Sequence, residues 1–561
     1  MKTKLFILFL TFLRIANAQT PNWEWAKSAG GTSYEESNFI AKDNFGNVYI
    51  TGYFFSTSIT FGSFTLTNQG VGGNNNGDIF LVKYDANGNV VWAKGAGGTG
   101  NDGASYAATD STGNVYITGI YKSYNLILGT DTLTNDTTIG TAKMFIAKYD
   151  STGNVIWAKS PTGLSYCHGT AVITDTIGNV YVSGTFMSPS VTFDSTTLIN
   201  IDGSGNSLDM FLVKYNANNG TIVWAKSAGG IGNDFGYCAS VDATGNVYLN
   251  GYFTSSSMTI GSTTLTNANT DGSADIFLTK YNSTGNVVWA KSAGGTATEW
   301  GYSVITDVSG NIYITGYFAS PTLQFGTFTL TNAGGLDLYI TKYSPSGNLL
   351  WAKNAGGIKD EWGNCVMTDG SGNVYLAGWF KSSSITFGST ILNITDSTAN
   401  YCADILVVKY DASGNVLWAK NVGGGGFDAA DAVVPDVNGN VYLTGLFESP
   451  SISFGSSVIT NNTPGQGDVF VAKLGSLTTA VEENNSFNRI NIFPNPSSGQ
   501  VNITTSNNID EVKITDILGQ IVYQTKTNEK NISLQLGKAG LYIVTLVSGR
   551  QMATRKLIVY N

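Results

Sequence analysis

The tripeptide Trp-Ala-Lys begins at Trp25, Trp92, Trp157, Trp224, Trp289, Trp351 and Trp418, at intervals of 67, 65, 67, 65, 62 and 67 residues. A second marker, Gly-Asn-Val/Ile-Tyr, starts 21 residues after each Trp, from Gly46 to Gly439. A third, typified by Asp78 to Tyr84, recurs until its last copy at Asp468 to Leu474. A unit this short cannot bury its apolar face alone, so seven copies must stack on one another.

Each unit reads as short apolar segments separated by Gly, Asn and Asp. The recurring Asp-x-x-Gly-Asn supplies a side chain that bonds the turn backbone and a glycine for positive φ, which closes a hairpin. Four strands per unit follow: one ending at Asp43, then Val48 to Phe54, Ile79 to Tyr84 and Val90 to Lys94. Both faces of these strands are apolar, so each sheet needs cover on both sides, which radial stacking provides. The prediction is an all-β chain whose main body is a seven-bladed β-propeller. The seventh unit lacks a following Trp-Ala-Lys strand, while a spare one lies at Asn22 to Lys27. The N-terminal strand therefore completes the last blade and removes both edges. The repeat tryptophans read as packing between blades, and the glycines from Gly52 to Gly445 as points of close backbone approach.

Only 12% of the 561 residues are charged, 12% are aromatic and 68 are Gly, which excludes disorder and coiled coil. The net charge of -9 argues against a nucleic-acid partner. Residues 19–480 carry 19 Lys, no Arg and 33 acids, so the acidity belongs to the propeller. Four Cys without a CxxC spacing support neither a disulfide scaffold nor zinc. Residues 1–18 have the charged, apolar, small-residue order of a signal peptide for the general secretion machinery, and no transmembrane segment is expected.

Ten residues after the repeat Trp stands a carboxylate in six units: Glu35, Asp102, Asp234, Glu299, Glu361 and Asp428. The third unit has Cys167 there, followed by His168, the sole histidine. These positions open the strand expected to be innermost, so the acids are expected as a ring near one channel mouth. Two readings stay open, a functional one, a cation site with calcium as the candidate ion or an acidic funnel for a cationic ligand, and carboxylates capping backbone amides of their own loops. Beside them stand Phe235, Trp300 and Trp362, with His168 in the corresponding place. Trp beside a carboxylate suits sugar binding; the alternative is an aromatic plug. The intervals after the second strands, such as Ser56 to Asn76, are expected as polar contact loops.

The Gly-Asn-Val-Tyr and Asp-x-Phe segments over about residues 22–474 resemble the bacterial propeller repeats called SBBP, a resemblance that implies a fold and no activity. Asn216 to Trp224 is similar to the tryptophan-docking motif of quinoprotein propellers. After a linker at 475–487, residues 488–561 alternate as strands of a small Ig-like β-sandwich. Pro494, Asn495, Pro496, Gly499, Asp516, Gly519, Gly540, Tyr542 and Lys556 together resemble the type A carboxy-terminal sorting domain of the type IX secretion system. That resemblance implies the secretion system as partner, with the propeller of residues 19–474 secreted or held at the outer cell surface. The functional expectation is a non-catalytic propeller for adhesion or for binding surface glycan or extracellular protein. The competing expectation is a secreted carbohydrate-active enzyme, a lyase or quinoprotein-like oxidoreductase, with its site at the channel mouth. The absence of propeller Arg and the single His weigh against it.

Overall fold

Asp43 shows how each hairpin is set. Its Oδ1 accepts hydrogen bonds from the amides of Phe45 and Asn47, both at 2.9 Å, and its Oδ2 accepts from Asn47 Nδ2 and the Tyr49 hydroxyl. Gly46 closes the turn at φ +86. Asp110, Asp175, Asp242, Asp307 and Asp369 repeat the clip with Tyr116, Tyr181, Tyr248, Tyr313 and Tyr375. The computed structural model describes residues 20–70, 76–135, 141–163, 166–269, 271–396, 401–476, 490–516, 519–548 and 551–560. The signal peptide expected at 1–18 and most of the linker expected at 475–487 lie outside them.

The described chain forms two compact units, one within residues 1–477 and one within 478–561. The first contains seven four-stranded antiparallel sheets. Blade 1 runs from the channel outward as Glu35–Lys42, Val48–Phe54, Asp78–Tyr84 and Val90–Ala96. The innermost strands of blades 2 to 7 are Asp102–Thr109, Cys167–Thr174, Asp234–Val241, Glu299–Thr306, Glu361–Thr368 and Asp428–Pro435. Each packs against its neighbour on either side, and the seventh against the first. In blade 7 the outermost strand is Trp23–Ala29, paired antiparallel with Asp468–Leu474, so the chain start closes the ring as the repeat count requires.

Adjacent blades are riveted by the repeat itself. The indole N–H of Trp92 donates to the Ser151 carbonyl of the next blade at 3.1 Å, and those of Trp25, Trp157, Trp224 and Trp351 act likewise on Ala86, Ala217, Ser283 and Ala412. Burial of each ring is worth up to about 4 kcal/mol. The third-strand lysines are structural too. Lys83, Lys148, Lys214, Lys280, Lys342, Lys409 and Lys473 each lie 4.8–5.6 Å from the ring centre of a repeat tyrosine.

The polar intervals differ from expectation. Each carries a two-stranded hairpin, in blade 1 Ser58–Phe61 with Phe64–Thr67. Ile59 and Phe61 are buried, and Phe61 packs on Phe80 with centroids 5.0 Å apart. Alternating Thr and Ser on the solvent face hid the apolar face in the sequence.

In the C-terminal unit one long strand runs over Gln500–Asp516. It pairs first with Ile490–Phe493 and later with Gly540–Ser548, and its register with Ile521–Gln535 breaks between Thr504 and Glu511, where the sandwich folds over. Val501, Val512, Ile514, Val544, Leu546 and Leu557 form its core. The sorting-motif residues tie this unit together. Asn495 bonds the last strand twice, at the Lys556 carbonyl and the Ile558 amide. Asp516 caps the turn that reaches Gly519 at φ +81, Gly499 also takes positive φ, and the Tyr542 hydroxyl donates to the Lys538 carbonyl.

Every innermost propeller strand carries a β-bulge against its partner, leaving Asn38, Ser105, Thr170, Tyr237, Tyr302, Asn364 and Asp431 unpaired in the seven blades. The glycine opposite makes room. A Cβ at Gly52, Gly251, Gly316 or Gly378 would lie 1.9 Å from the carbonyl oxygen of Glu36, Phe235, Trp300 or Trp362, and one at Gly119, Gly184 or Gly445 would lie 2.1 Å from the equivalent atom. Gly316→Ala is therefore expected to cost about 3 kcal/mol by overpacking against backbone. Denaturant unfolding checks this; a variant as stable as the parent would mean that the close approach is not required.

Candidate functional site

The bulges decide what the channel sees. In each innermost strand the first residue turns into the blade interface, while the second, the bulged fourth and the fifth turn inward. All seven bulged residues and several of their second- and fifth-position neighbours line a cavity of about 520 Å³. Blades 4 to 6 contribute rings, with Phe235, Tyr237, Tyr302 and Trp362 on the wall, joined by Trp379 and Phe427. Blades 7 and 1 contribute Asp431, Glu36 and Asn38, and blades 2 and 3 contribute Ser105, His168 and Thr170. Phe39 and Tyr106, whose rings stack with centroids 3.5 Å apart, fill the channel beside it. Tyr106 reaches across to Cys238, its hydroxyl 3.6 Å from Sγ.

The aromatic candidates are placed differently from the expectation. Phe235, Tyr252, Trp300, Tyr317, Trp362 and Trp379 form one continuous stack through blades 4 to 6, which Phe427 of blade 7 meets edge-on. Trp300 is covered on its two sides by Tyr252 at 4.5 Å and Tyr317 at 5.6 Å, and does not line the cavity. Trp362 lies between Tyr317 at 4.6 Å and Trp379 at 5.1 Å. Neither can serve as an open platform for a sugar, because neighbouring rings occupy the faces such stacking would use. Trp362 still reaches the cavity, and its indole N–H is buried without a hydrogen-bond partner.

The acids do not form the expected ring at a channel mouth, and the second of the two readings, capping, is the one their hydrogen bonds follow. Glu35, Asp102, Asp234, Glu299, Glu361 and Asp428 are all buried and none lines the cavity. They cap backbone amides of their own loops: Glu361 accepts from the Gly357 and Ser382 amides at 2.8 and 3.0 Å, and Asp428 from Gly424 and Ser449. Alternation along the strand is the reason, since the first and second residues cannot both face the channel. Among the described residues no three His, Cys, Asp or Glu side chains converge as a metal-holding group.

Each of these acids instead faces the field of an Asp that opens the third strand of the preceding blade. Burial, and then Asp468, push Glu35 up to about 7; burial, and then Asp102, do the same to Asp78. Glu299 and Glu361 also rise to about 7, by burial and then by Asp275 and Asp337. Oδ1 of Asp78, Asp209, Asp275, Asp337, Asp404 and Asp468 is buried without a partner, packed against the glycine that follows the repeat Trp by five residues. The one exception changes all three partners together. Where the acid is Cys167, the opposing residue is Lys143 and the glycine position is Thr162. Burial pushes the Cys167 thiol up to about 12, so it is no nucleophile.

Two groups that sequence reading missed define the polar end of the cavity. Glu36 Oε2 accepts hydrogen bonds from the Tyr34 hydroxyl at 2.9 Å and from the Tyr53 hydroxyl. Asp431 Oδ1 accepts from Asn364 Nδ2 at 3.2 Å, while its Oδ2 is buried without a partner. Burial and the neighbouring Glu36 hold the Asp431 carboxyl well above the usual range. His168 Nε2 shares a 2.8 Å hydrogen bond with Ser105 Oγ, and burial pushes the imidazole down to about 4. The signal that finds these residues is divergence within the repeat. The first strand position is acidic in six units, but the fourth runs Asn, Ser, Thr, Tyr, Tyr, Asn, Asp.

A family model described as the secretion system C-terminal sorting domain matches residues 491–560. The chain is a β-propeller protein sorted by the type IX system to the cell surface or extracellular space. An uncharacterized WD repeat-containing protein of Acanthamoeba polyphaga mimivirus is 25% identical over 519 residues, covering 77% of this chain and 36% of that protein. The regulatory protein FlaEY of Caulobacter vibrioides is 24% identical over 201 residues, covering 34% and 20%. The chain thus spans well under half of either relative. The solved quinohemoprotein alcohol dehydrogenase of Comamonas testosteroni superposes at TM-score 0.40 and 12% identity, covering 84% of this chain and 79% of that one. Among the described residues no helix is long and apolar enough to cross a membrane.

The buried acids predict the pH dependence of the propeller. A carboxyl raised in the folded state contributes stability that is complete below its unfolded value near 4 and is lost as pH rises through its folded value. Glu35, Asp78, Asp209, Asp234, Glu299 and Glu361 rise to about 7, and Asp275, Asp428 and Asp468 to about 6, chiefly by burial. The turn acids act oppositely and in another window. Against a small burial effect, hydrogen bonds from Asn154 and Thr152 hold Asp150 at about 2, so its contribution is lost only in strong acid. The melting temperature is expected to fall between about pH 5 and pH 8. Replacing one pair, Glu299→Gln with Asp275→Asn, is expected to flatten the slope. Thermal melts across that range check this; rising stability toward pH 8 would contradict it.

Proposed function

We propose that the exported propeller is a non-catalytic binding module that takes a carbohydrate in its channel cavity and so serves glycan capture or adhesion at the cell surface. The observation that carries this reading is where the seven copies differ. Framework positions are held nearly constant, while the bulged fourth position of the innermost strand varies from blade to blade and lines the cavity in all seven. Its volume, about 520 Å³, falls within the range of small-ligand sites. The mixture of Tyr237 and Tyr302 with Asn364, Thr170 and Ser105 offers apolar surface beside hydroxyl and amide partners, which is what sugars need.

A second reading, a secreted carbohydrate-active enzyme, is favoured by one feature, the neighbouring acids Glu36 and Asp431 in the same cavity. Against it, Ser105 and His168 have the spacing of a nucleophile and base, but an imidazole pushed down to about 4 is a weak proton acceptor at neutral pH. Glu36 is held by two tyrosine hydroxyls. Incubation with a panel of polysaccharides separates the two. Stoichiometric binding without new reducing or unsaturated ends, weakened about tenfold by Tyr302→Ala, is the expected result. Turnover abolished by Glu36→Gln would replace the module with the enzyme.

A further inference from the structure

Exposure along the innermost strands falls to a minimum partway down the channel and then returns. At the fourth positions the side chains are partly exposed in six of the seven blades, Thr170 being the exception. At the fifth positions Phe39, Ala171, Cys238, Ser303, Cys365 and Ala432 are buried. Two residues further on, Ala108, Ile173, Ile305, Met367 and Val434 are partly exposed again. A buried layer between two exposed ones is a floor, and the remaining fifth-position residue, Tyr106, lies across it. Its ring stacks on Phe39 of blade 1 with centroids 3.5 Å apart, and its hydroxyl reaches Cys238 of blade 4 at 3.6 Å.

The floor is tied from blade to blade. Cys238 Sγ lies 3.8 Å from the Val304 carbonyl oxygen of blade 5, and Cys365 Sγ 3.8 Å from that of Val433 in blade 7. Between them the Val366 amide of blade 6 donates to Ser303 Oγ of blade 5 at 3.2 Å. Close-packed contacts of this kind across the junctions hold the layer shut while the blades keep their places. The cavity therefore has one mouth, at the end where Tyr34 and Phe427 stand partly exposed just before the innermost strands of blades 1 and 7. Its volume of about 520 Å³ encloses most of a drug-sized ligand, on the order of two sugar rings. The interior of a long polymer would have to enter and leave through the same opening, bent double, whereas a chain end enters straight. We infer that the cavity takes the terminal units of a glycan chain and not its interior, an assignment that rests on the reading of the cavity as a carbohydrate site.

The test is calorimetry of the purified protein with linear glucan, mannan, xylan and galactan, each offered intact and as its partial acid hydrolysate at equal mass of sugar. For a chain that binds, the sites titrated per gram are expected to rise in direct proportion to the ends that hydrolysis creates, with the affinity per site unchanged. Ser105→Phe, which puts a ring into the cavity above the floor, is expected to abolish that binding while the thermal midpoint shows the propeller folded; Asn38→Phe supplies the same block if the first variant does not fold. Sites per gram that stay level or fall on hydrolysis would overturn chain-end recognition and leave the carbohydrate reading intact. End-dependent binding that survives in a folded blocked variant would overturn the assignment to this cavity. No binding of any of the chains, intact or hydrolysed, would overturn the carbohydrate reading and the chain-end assignment with it.

Discussion

Everything specific about the channel depends on a glycine that lets a carbonyl come too close. Gly52, Gly119, Gly184, Gly251, Gly316, Gly378 and Gly445 each sit where any Cβ would collide with the backbone oxygen of the innermost strand. The space they leave is taken by a β-bulge, which throws one extra side chain per blade into the channel. A regular strand would offer the channel every second residue. The bulge lets the fourth and fifth positions face it as well, so Tyr237 and Cys238, or Asn364 and Cys365, differ in role from ordinary strand neighbours. Seven identical deviations build a cavity whose wall can change without disturbing the blades.

The framework around that cavity is held by polar groups working in short range. The turn aspartates are capped by amides and by a repeat tyrosine, and the third-strand lysines lie over the same tyrosines. The interface acids cap loops and, across each junction, face an aspartate whose Oδ1 has no partner. Burial raises the carboxyls of these pairs, so the stability of the ring is expected to depend on pH. The junction of blades 2 and 3 shows that the three positions form one unit, because Lys143, Thr162 and Cys167 have replaced them together.

Much of this was legible in the sequence, and the limits have physical causes. The period of the tryptophans, the Asp43 to Asn47 turn and the spare strand near Trp25 gave the blade count and the closure, because these signals are local and repeated. Hairpins such as Ser58–Phe61 read as loops in the sequence because their solvent face is Ser and Thr and their buried face only two or three residues long. The interface acids and the aromatics beside them cannot both face the channel, because adjacent strand residues point opposite ways. The second positions, Phe235, Trp362 and His168, do reach the cavity, whereas Trp300 is enclosed in the ring stack. Tyr302, Asn364 and Asp431 could be found only by asking where the repeat departs from itself, since a bulge leaves no composition signal. In the C-terminal unit the ordered motif from Pro494 to Lys556 is legible because its residues set turns and strand ends, Asn495 on the last strand at Lys556 and Ile558 and Tyr542 on Lys538.

The central claim is that the cavity residues serve a ligand and not the fold. Functional groups held without partners reduce stability, and removing them returns it. Asp431 tests this most directly, because Asp431→Asn keeps the oxygen that Asn364 bonds and removes a carboxyl that burial and Glu36 both disfavour in its charged form. The measurement is the thermal midpoint of this variant against the parent at neutral pH, without ligand. An unchanged or higher midpoint is predicted. A clear fall would contradict the account, since it would mean that Asp431 holds the propeller together.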